Sequence, residues 1–379
     1  MTSFVYAADL HLKRQNWATR PDIVDDAYYT YQQLIRHCVA RHCNLVLGGD
    51  IFDSPRPASQ DIQIFREGLD TLIAAGLQVF VTQGQHDRSV PPWPAAVVGR
   101  GVWYVHGMVF TPVAEQPQVK AFALDNMSRD ELQARLATDP ETTASIYVLH
   151  QLAKPVFTFE DKWDFDPAWL PPNVKLALMG DLHKQVEFRA GNAVGYYPGS
   201  THATELPEAE AGGFSFLEVD VLTLGVTRVP LQTRPYWFYT VNTEEQLSAL
   251  ATTVFQRLEA HVIAATPASM AERVLRPVIV VDYLAGIQGV ESKFKDAIRG
   301  RAGFWPRPIT LRMDTVVDRQ RSPDGVDAVV PTLAACLEDI EVSDRAKGLV
   351  LDLLVRPSKI VFTELRSEFG VEATATAPV

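Results

Sequence analysis

Short apolar runs recur along the first 230 positions, and many stop at a turn carrying an acid or a histidine. Phe4-Val5-Tyr6-Ala7-Ala8, Asn44-Leu45-Val46-Leu47, Val79-Phe80-Val81-Thr82, Ser145-Ile146-Tyr147-Val148-Leu149 and the stretch 174–179 are rich in β-branched and aromatic residues. Runs of that length read as buried strands. Between the early ones the spacing turns helical. Ile23, Ala27, Tyr31, Leu34, Ile35, Cys38 and Val39 predict a helix over 22–41. Ile62, Phe65, Leu69, Leu72 and Ile73 predict another over 59–75. A strand is expected at 78–83, and Gly/Pro-rich text from 84 to 94 is expected to be a loop. Shorter β-like pieces follow at 102–106, 119–124, 145–150, 174–180, 186–189, 193–197, 214–221 and 226–231. Alternation of β and α, then mostly β, predicts an α/β fold in which a β-sandwich is flanked by helices.

The character changes at Thr233-Arg234-Pro235. Residues 236–314 read as strand, helix (243–264), strand (278–283), helix (291–299) and strand (310–313), a small α/β domain. Arg319 to Gly325 is a polar linker, and 329–355 and 358–369 carry helical apolar spacing. The expected domains are therefore 1–232, 233–318 and 319–379. Of 379 residues, 47% are hydrophobic and 21% charged, which suits a water-soluble globular chain. No run reaches the ~18 apolar residues of a membrane span. Three cysteines and an N-terminus without a basic or long apolar leader make the cytoplasm the expected compartment. A net charge of −11 excludes a uniformly basic coat, though not a local basic surface.

The candidate chemistry sits at the strand ends. Asp9 and His11 follow the first run, and Gly48-Gly49-Asp50 the second. Gln85, His86 and Asp87 follow the third, His150 the fourth, and Asp181 and His183 the fifth. Imidazole nitrogens with carboxylate oxygens suit manganese, iron or zinc, and carboxylate-rich sites favour the harder ions. Any one of these pieces is common by chance. Five strand ends so equipped suggest a two-metal site with Asp50 as the bridge.

The order Asp9/His11, Asp50, Gln85-His86-Asp87, His150, Asp181/His183 resembles the calcineurin-like metallophosphoesterase superfamily. Tyr197-Pro198-Gly199-Ser200-Thr201, followed by Gly213-Phe214, is similar to the SbcD-type DNA-repair nuclease branch. The resemblance spans essentially the whole chain and is strongest over the first 200 or so residues. It implies two divalent ions, manganese or else magnesium, one held by Asp9, His11, Asp50 and His183, the other by Asp50, Gln85, His150 and Asp181. It implies His86 as the catalytic histidine beside the scissile phosphate. It further implies DNA as substrate for exonuclease and endonuclease action, a homodimer, and an SbcC-type ABC ATPase partner whose coiled coil the C-terminal helices would grip. Two positions depart from the pattern: the family usually has Asn at Gln85, and the nuclease branch often has His at Asp181. Both are expected to tune the site. The alternatives are a DNA-end-binding scaffold with weakened catalysis, or a metallophosphatase acting on a non-DNA phosphoester.

Residues 273–312 carry eight Lys/Arg against three acids, a local charge of +5. Lys293, Lys295, Arg299 and Arg301 are the candidate DNA-binding residues there, against the plainer reading of a solvated basic face. Gly303-Phe304-Trp305-Pro306 could form a loop at the DNA or a packed turn. Lys13, Arg14 and Trp17, in the loop after His11, are either a DNA contact or surface. His37-Cys38 and His42-Cys43 have zinc-like spacing but lie on a predicted helix, where core packing is the simpler reading. Cys336, His106 and His261 lack partner motifs. His202 follows the Pro-Gly-Ser-Thr turn, near where substrate is expected. Asp53 and Asp87 are expected to orient neighbouring ligands.

Overall fold

The computed structural model of the chain describes residues 2–309, except 91, 95–97, 139–142, 157–161, 262–268, 285 and 299–300. The expected strand at 310–313, the linker, the C-terminal helices, Arg299 and Cys336 lie outside the described residues. Among those described, no helix is long and apolar enough to cross a membrane.

Two six-stranded sheets form the body. The first contains β1 (Ser3–Ala7), β2 (Asn44–Gly48), β3 (Val79–Thr82), β4 (Val102–Tyr104), β11 (Ser215–Asp220) and β12 (Gly225–Pro230), in the order β12-β11-β1-β2-β3-β4. The second contains β5 (Met108–Phe110), β6 (Ala121–Leu124), β7 (Ile146–His150), β8 (Leu176–Gly180), β9 (Val186–Ala190) and β10 (Ala193–Tyr197), in the order β5-β6-β7-β8-β10-β9. Strands β1 to β4 are mutually parallel, as are β6, β7, β8 and β10. The antiparallel strands β5, β9, β11 and β12 lie toward the margins. This is the expected sandwich flanked by helices.

The period-two alternation of each strand decides what it faces. Phe4, Tyr6, Val46 and Phe80 point inward and meet Ala121, Ala123, Ile146, Val148, Leu176 and Leu178 of the opposite sheet. Val5, Ala7, Leu45, Leu47, Val79 and Val81 point outward. They pack under α1 (Asp26–Arg41) and α2 (Ser59–Ala74) through Leu34, Cys38, Phe65, Leu69 and Leu72. On the other flank Phe122, Leu124, Tyr147, Leu149, Ala177 and Met179 receive Leu132 and Leu136 of α3 (Arg129–Thr138). The strands are apolar on both faces because both faces are covered.

Several elements differ from the sequence expectation. Helix α1 begins at Asp26 rather than 22, because Asp25 takes a left-handed φ of 73° and its N–H donates to the Arg14 carbonyl at 2.7 Å. Helix α3 was not anticipated, since only Leu132 and Leu136 anchor an otherwise charged segment. Past residue 233, β13 (Tyr236–Val241), β14 (Val278–Leu284) and β15 (Gly303–Ile309) form a third sheet, with α5 (Glu244–Ala260), α6 (Met270–Leu275) and α7 (Val290–Ile298) between them. Its third strand therefore takes in Phe304, Trp305 and Pro306, which the sequence placed in a loop.

The third sheet is fastened to the body through a charged seam. Arg234, 7% exposed, places Nη2 2.7 Å from Asp26 Oδ1 and donates to the carbonyls of Val24, Arg273 and Arg276. Arg273 pairs with Asp25 at 2.7 Å. Beside them Trp17 is buried edge-on against Tyr236 and Trp305. Trp17 is thus part of this junction and not an exposed DNA contact. Removing one partner of a buried ion pair strands the other. Arg234→Ala should lower the unfolding free energy by about 3–5 kcal/mol, read by urea denaturation. The paired change Asp26→Leu with Arg234→Met should recover part of that loss.

Candidate metal centre

All five ligand-bearing strand ends open at one edge of the sandwich. The turn after β1 is stitched to the turn after β2: Asp9 N–H donates to Gly49 O at 3.1 Å, His11 N–H to Asp50 O at 3.0 Å, and Leu12 N–H to Ile51 O at 2.7 Å. To aim inward, Asp9, His11, Asp50 and Asp181 adopt left-handed backbone, with φ of 53°, 41°, 49° and 88°. Non-glycine residues avoid that region, at a cost of order 1–3 kcal/mol each, and such strain concentrates at functional sites. Glycines leave the space the site needs. A Cβ on Gly49 would lie 2.5 Å from His150 Nδ1, and one on Gly84 would overlap the Asp50 carboxylate.

Asp9, Asp50 and His150 are fully buried and His11 is 2% exposed. His150 Nε2 lies 3.3 Å from Asp50 Oδ2 and 3.7 Å from Asp9 Oδ1. His11 Nε2 lies 3.0 Å from His183 Nε2 and 3.9 Å from Asp50 Oδ2, and His183 Nε2 is 4.0 Å from Asp9 Oδ1. Asp181 N–H donates to both Asp9 carboxylate oxygens at 3.1 and 3.2 Å. Gln85 donates Nε2–H to Asp181 Oδ1 at 2.5 Å. His86, exposed at the mouth, sets its ring edge-on to His11 with centroids 5.0 Å apart. Its backbone N–H donates to Asp50 Oδ1 at 2.8 Å, and its Nδ1 is 3.2 Å from the Asp53 carbonyl. The structure thus brings together Asp9, His11, Asp50, Gln85, His86, His150, Asp181 and His183.

The donor set fits metal ions. Asp50 Oδ2, His150 Nε2 and Gln85 Oε1 are buried without a hydrogen-bond partner, and two imidazole Nε2 atoms face each other. Buried polar atoms are ordinarily satisfied. Here Asp9, His11 and His183, and again Asp9, Asp50 and His150, converge closely enough to share one ion. The second nitrogens of His150 and His183 have acceptors that turn Nε2 inward, whereas His11 Nδ1 is buried without a hydrogen-bond partner and only faces Asp53. His150 Nδ1 lies 2.6 Å from Gly48 O, His183 Nδ1 lies 2.7 Å from Glu208 Oε1, and His11 Nδ1 lies 3.4 Å from Asp53 Oδ1. Outer carboxylates and carbonyls of this kind fix tautomer and ring orientation in metal sites.

Protonation follows the same crowding. Burial alone would depress the His150 imidazolium, but the negative charge of Asp50 beside it, with Asp9 and Asp181 beyond, carries it up to about 10. Burial likewise opposes charge on His183, and the Glu208 hydrogen bond and the Asp9 charge bring it to about 9. Asp50 is held down at about 2 against burial by His150 and His11. Burial and the Asp9 charge lift Asp181 to about 6, although His150 opposes this.

Asp53 also pairs with Lys13 at 2.8 Å. Asp87 is buried and accepts from the N–H groups of Ile51, Phe52 and Gly84, bracing the Asp50 turn against the Gln85 loop. His202 is wholly buried; burial, with the charges of His11 and Lys13, pushes its imidazolium down to about 3. Cys38 is core, and His37 pairs with Glu218 at 3.1 Å. Among the candidate DNA contacts, Arg301 pairs with Glu259 and Lys293 Nζ is 3.4 Å from Ser248 Oγ. Lys295 lines an open cavity of about 1190 Å³ beside α7.

Glu208, Thr204 and Asn126 were missed from the sequence. Asn126 donates Nδ2–H to the His150 carbonyl at 2.7 Å and takes Arg88 on its own oxygens, tying the His150 turn to the loop after β3. Glu208 and Thr204 do not follow an apolar run into the centre, whereas Asn126 comes two residues after the run Ala121-Phe122-Ala123-Leu124 but is neither an acid nor a histidine. The acid-rich stretch Glu205-Leu206-Pro207-Glu208 after the Pro198–Thr201 turn was the one available signal.

No family model matches the chain. Curated relatives do. A Methanosarcina acetivorans protein named DNA double-strand break repair protein Mre11 is 24% identical over 313 residues, covering 77% of this chain and 50% of its own length. Proteins of the same name from Methanosarcina mazei and Sulfurisphaera tokodaii are 24% and 27% identical over 270 and 201 residues, covering 67% and 50% of this chain and 43% and 50% of their own lengths. The chain thus spans about half the length of the curated relatives it matches. A solved 5'-nucleotidase-like structure from Staphylococcus aureus superposes with a TM-score of 0.33 and 14% identity, over 61% of this chain and 53% of its own.

Manganese at about 100 times its dissociation constant should stabilise the chain by about 2.7 kcal/mol, seen as a raised melting temperature reversed by EDTA. Gly84→Ala should abolish that gain while retaining the native circular dichroism, because its Cβ displaces Asp50. Raised histidine pKa values mean that His150 and His183 carry protons at neutral pH without metal, and binding must expel them. Metal affinity should therefore rise from pH 6 to pH 9, with proton release measurable by calorimetry in buffers of different ionisation enthalpy.

Proposed function

We propose that this chain, a metallophosphoesterase related to the Mre11 repair proteins, is a two-metal DNA nuclease of the SbcD type. The observation that carries the reading is the convergence of ligand side chains from five strand ends onto one edge of the sandwich, with Asp50 Oδ2, Gln85 Oε1 and His150 Nε2 buried and unpartnered among them. The name shared by the archaeal relatives supports DNA breaks as the substrate. Asp9, His11, Asp50 and His183 would hold one ion, and Asp50, Gln85, His150 and Asp181 the other, with manganese the metal we favour. The pair, when bound, supplies Lewis acidity toward the phosphate and lowers the pKa of a bound water.

The chain's own residues set the rest. Asp50 is placed to bridge because one oxygen is fixed by the His86 N–H while the other is free. His86 stands exposed at the mouth. With its Nδ1–H directed to the Asp53 carbonyl, its Nε2 is left for the substrate. Protonated there, it can neutralise phosphate charge and hold a proton for the leaving oxygen. Gln85 tells against the scaffold reading: its NH₂ is taken by Asp181, so its carbonyl oxygen is presented as a ligand, as an Asn carbonyl would be.

The proposed organisation is a nuclease domain over 1–232, a capping domain over 233–318, and residues 319–379 for an ABC ATPase with a coiled coil, the whole working as a homodimer. The test is manganese-dependent degradation of labelled linear duplex DNA. His86→Ala should lower the rate by about 10²–10⁴-fold with manganese affinity unchanged. Gln85→Asn should keep the rate within about tenfold of wild type. An inert wild type, with or without its ATPase, beside an active Gln85→Asn would favour the scaffold.

A further inference from the structure

Glu208 lies outside every apolar run that ends in the metal centre, yet it is the best-anchored carboxylate around it. Its Oε2 accepts from Thr204 N at 2.7 Å, Thr204 Oγ1 at 2.9 Å and Glu205 N at 3.4 Å. Three donors on one oxygen fix the carboxylate plane and leave Oε1 directed at His183 Nδ1, 2.7 Å away. Glu208 sits in α4 (Leu206–Ala211), where Leu206 and Ala209 pack toward Trp17 and Phe214. The side chain is 15% exposed, so water competes weakly for it. The His183 backbone is gripped as well: its carbonyl accepts from Ser200 N, and a Cβ on Gly199 would come within 3.0 Å of it.

The three histidines are held unequally. His150 leans on a backbone carbonyl, which no side-chain change can remove. His11 has Asp53 at 3.4 Å, which Lys13 also claims. His183 alone has a short bond to a carboxylate whose other oxygen is fully engaged. His183 is also 24% exposed where His11 is 2%, so packing constrains its ring least.

We infer that Glu208, locked by Thr204, is a positioning residue that holds His183 with Nε2 facing His11 and Asp9, and so sets the affinity of one of the two metal sites independently of the other. This rests on the two-metal reading above. The carboxylate selects the tautomer with hydrogen on Nδ1 and makes Nε2 a stronger ligand. A helix-capping role alone would account for the bonds to Oε2 but not for the one from Oε1 to the ring.

Manganese titration of the full chain by calorimetry, with the free ion followed by electron paramagnetic resonance, tests this. Wild type should bind two ions. Glu208→Ala should weaken one of them by about 10–100-fold and leave the other within about threefold. Glu208→Gln keeps an acceptor without the charge and should fall between. Thr204→Val, which removes one donor to Oε2 and also the 3.1 Å contact between Thr204 Oγ1 and His183 Nδ1, should weaken the same ion by a smaller factor. The melting temperature of each EDTA-treated variant separates positioning from folding. Two ions bound by Glu208→Ala with wild-type affinities would overturn the inference. So would parallel weakening of both ions together with a fallen metal-free melting temperature. A wild type that binds no pair of ions would overturn the two-metal reading itself, and this inference with it.

Discussion

Two carboxylates buried side by side govern this molecule. Asp9 and Asp50 end adjacent parallel strands, both fully buried, and their turns hydrogen-bond to one another. Among the described residues no lysine or arginine pairs with either; their ionic neighbours are His11, His150 and His183. Burying charge is costly unless it is compensated. The surrounding design answers that cost: left-handed turns that aim the acids inward, glycines that let the turns close, and histidines that bring either a proton or a lone pair for a cation. The sandwich supports this by covering every strand on both faces, so the strand ends cannot drift.

What could be read from the sequence follows from how each residue reaches the centre. A ligand at the end of a buried strand is announced by the apolar run before it. Asp9, Asp50, Gln85, His150 and Asp181 were found that way. Residues that act on ligands from short helices or loops carry no such flag. Glu208 looks like one more surface acid, and Asn126 like a loop amide. Local helical signal failed for the same reason in α3, where two leucines suffice because the sheet supplies the rest of the contact. The third strand of the third sheet was displaced because Phe304, Trp305 and Pro306 resemble turn text, whereas Trp305 is needed against Trp17.

Charge in the third sheet was the least legible feature. Counting side chains gave +5 over 273–312, but the fold consumes much of it. Arg273 is committed to Asp25 and Arg301 to Glu259, acids outside the counted stretch, while Arg307 is bidentate with Asp282, already set against it in the count, through bonds of 2.6 and 2.7 Å. An acid 248 residues away in sequence, as Asp25 is from Arg273, cannot be entered in a local count. Arg273 on Asp25, with Arg234 on Asp26, joins the sheet to the start of α1, the helix that packs on β1 and β2. Basic residues here serve position before they serve any ligand.

The two departures from the pattern that the chain resembles meet in space, and that changes how each should be read. Taken singly, Gln85 adds a methylene to a ligand and Asp181 replaces a neutral imidazole by an anion. In the fold the longer amide reaches Asp181 and gives it an N–H. A carboxylate only accepts, so the amide must turn its nitrogen to Asp181 and its oxygen away, into the buried position where it has no other partner. Asp181 thereby orients Gln85, and Gln85 in turn lowers the cost of a third carboxylate beside Asp9 and Asp50. Its N–H is one of the influences that hold the Asp181 carboxyl down against burial. Each substitution removes the difficulty the other would create, so the pair behaves as one unit of the site rather than two separate defects.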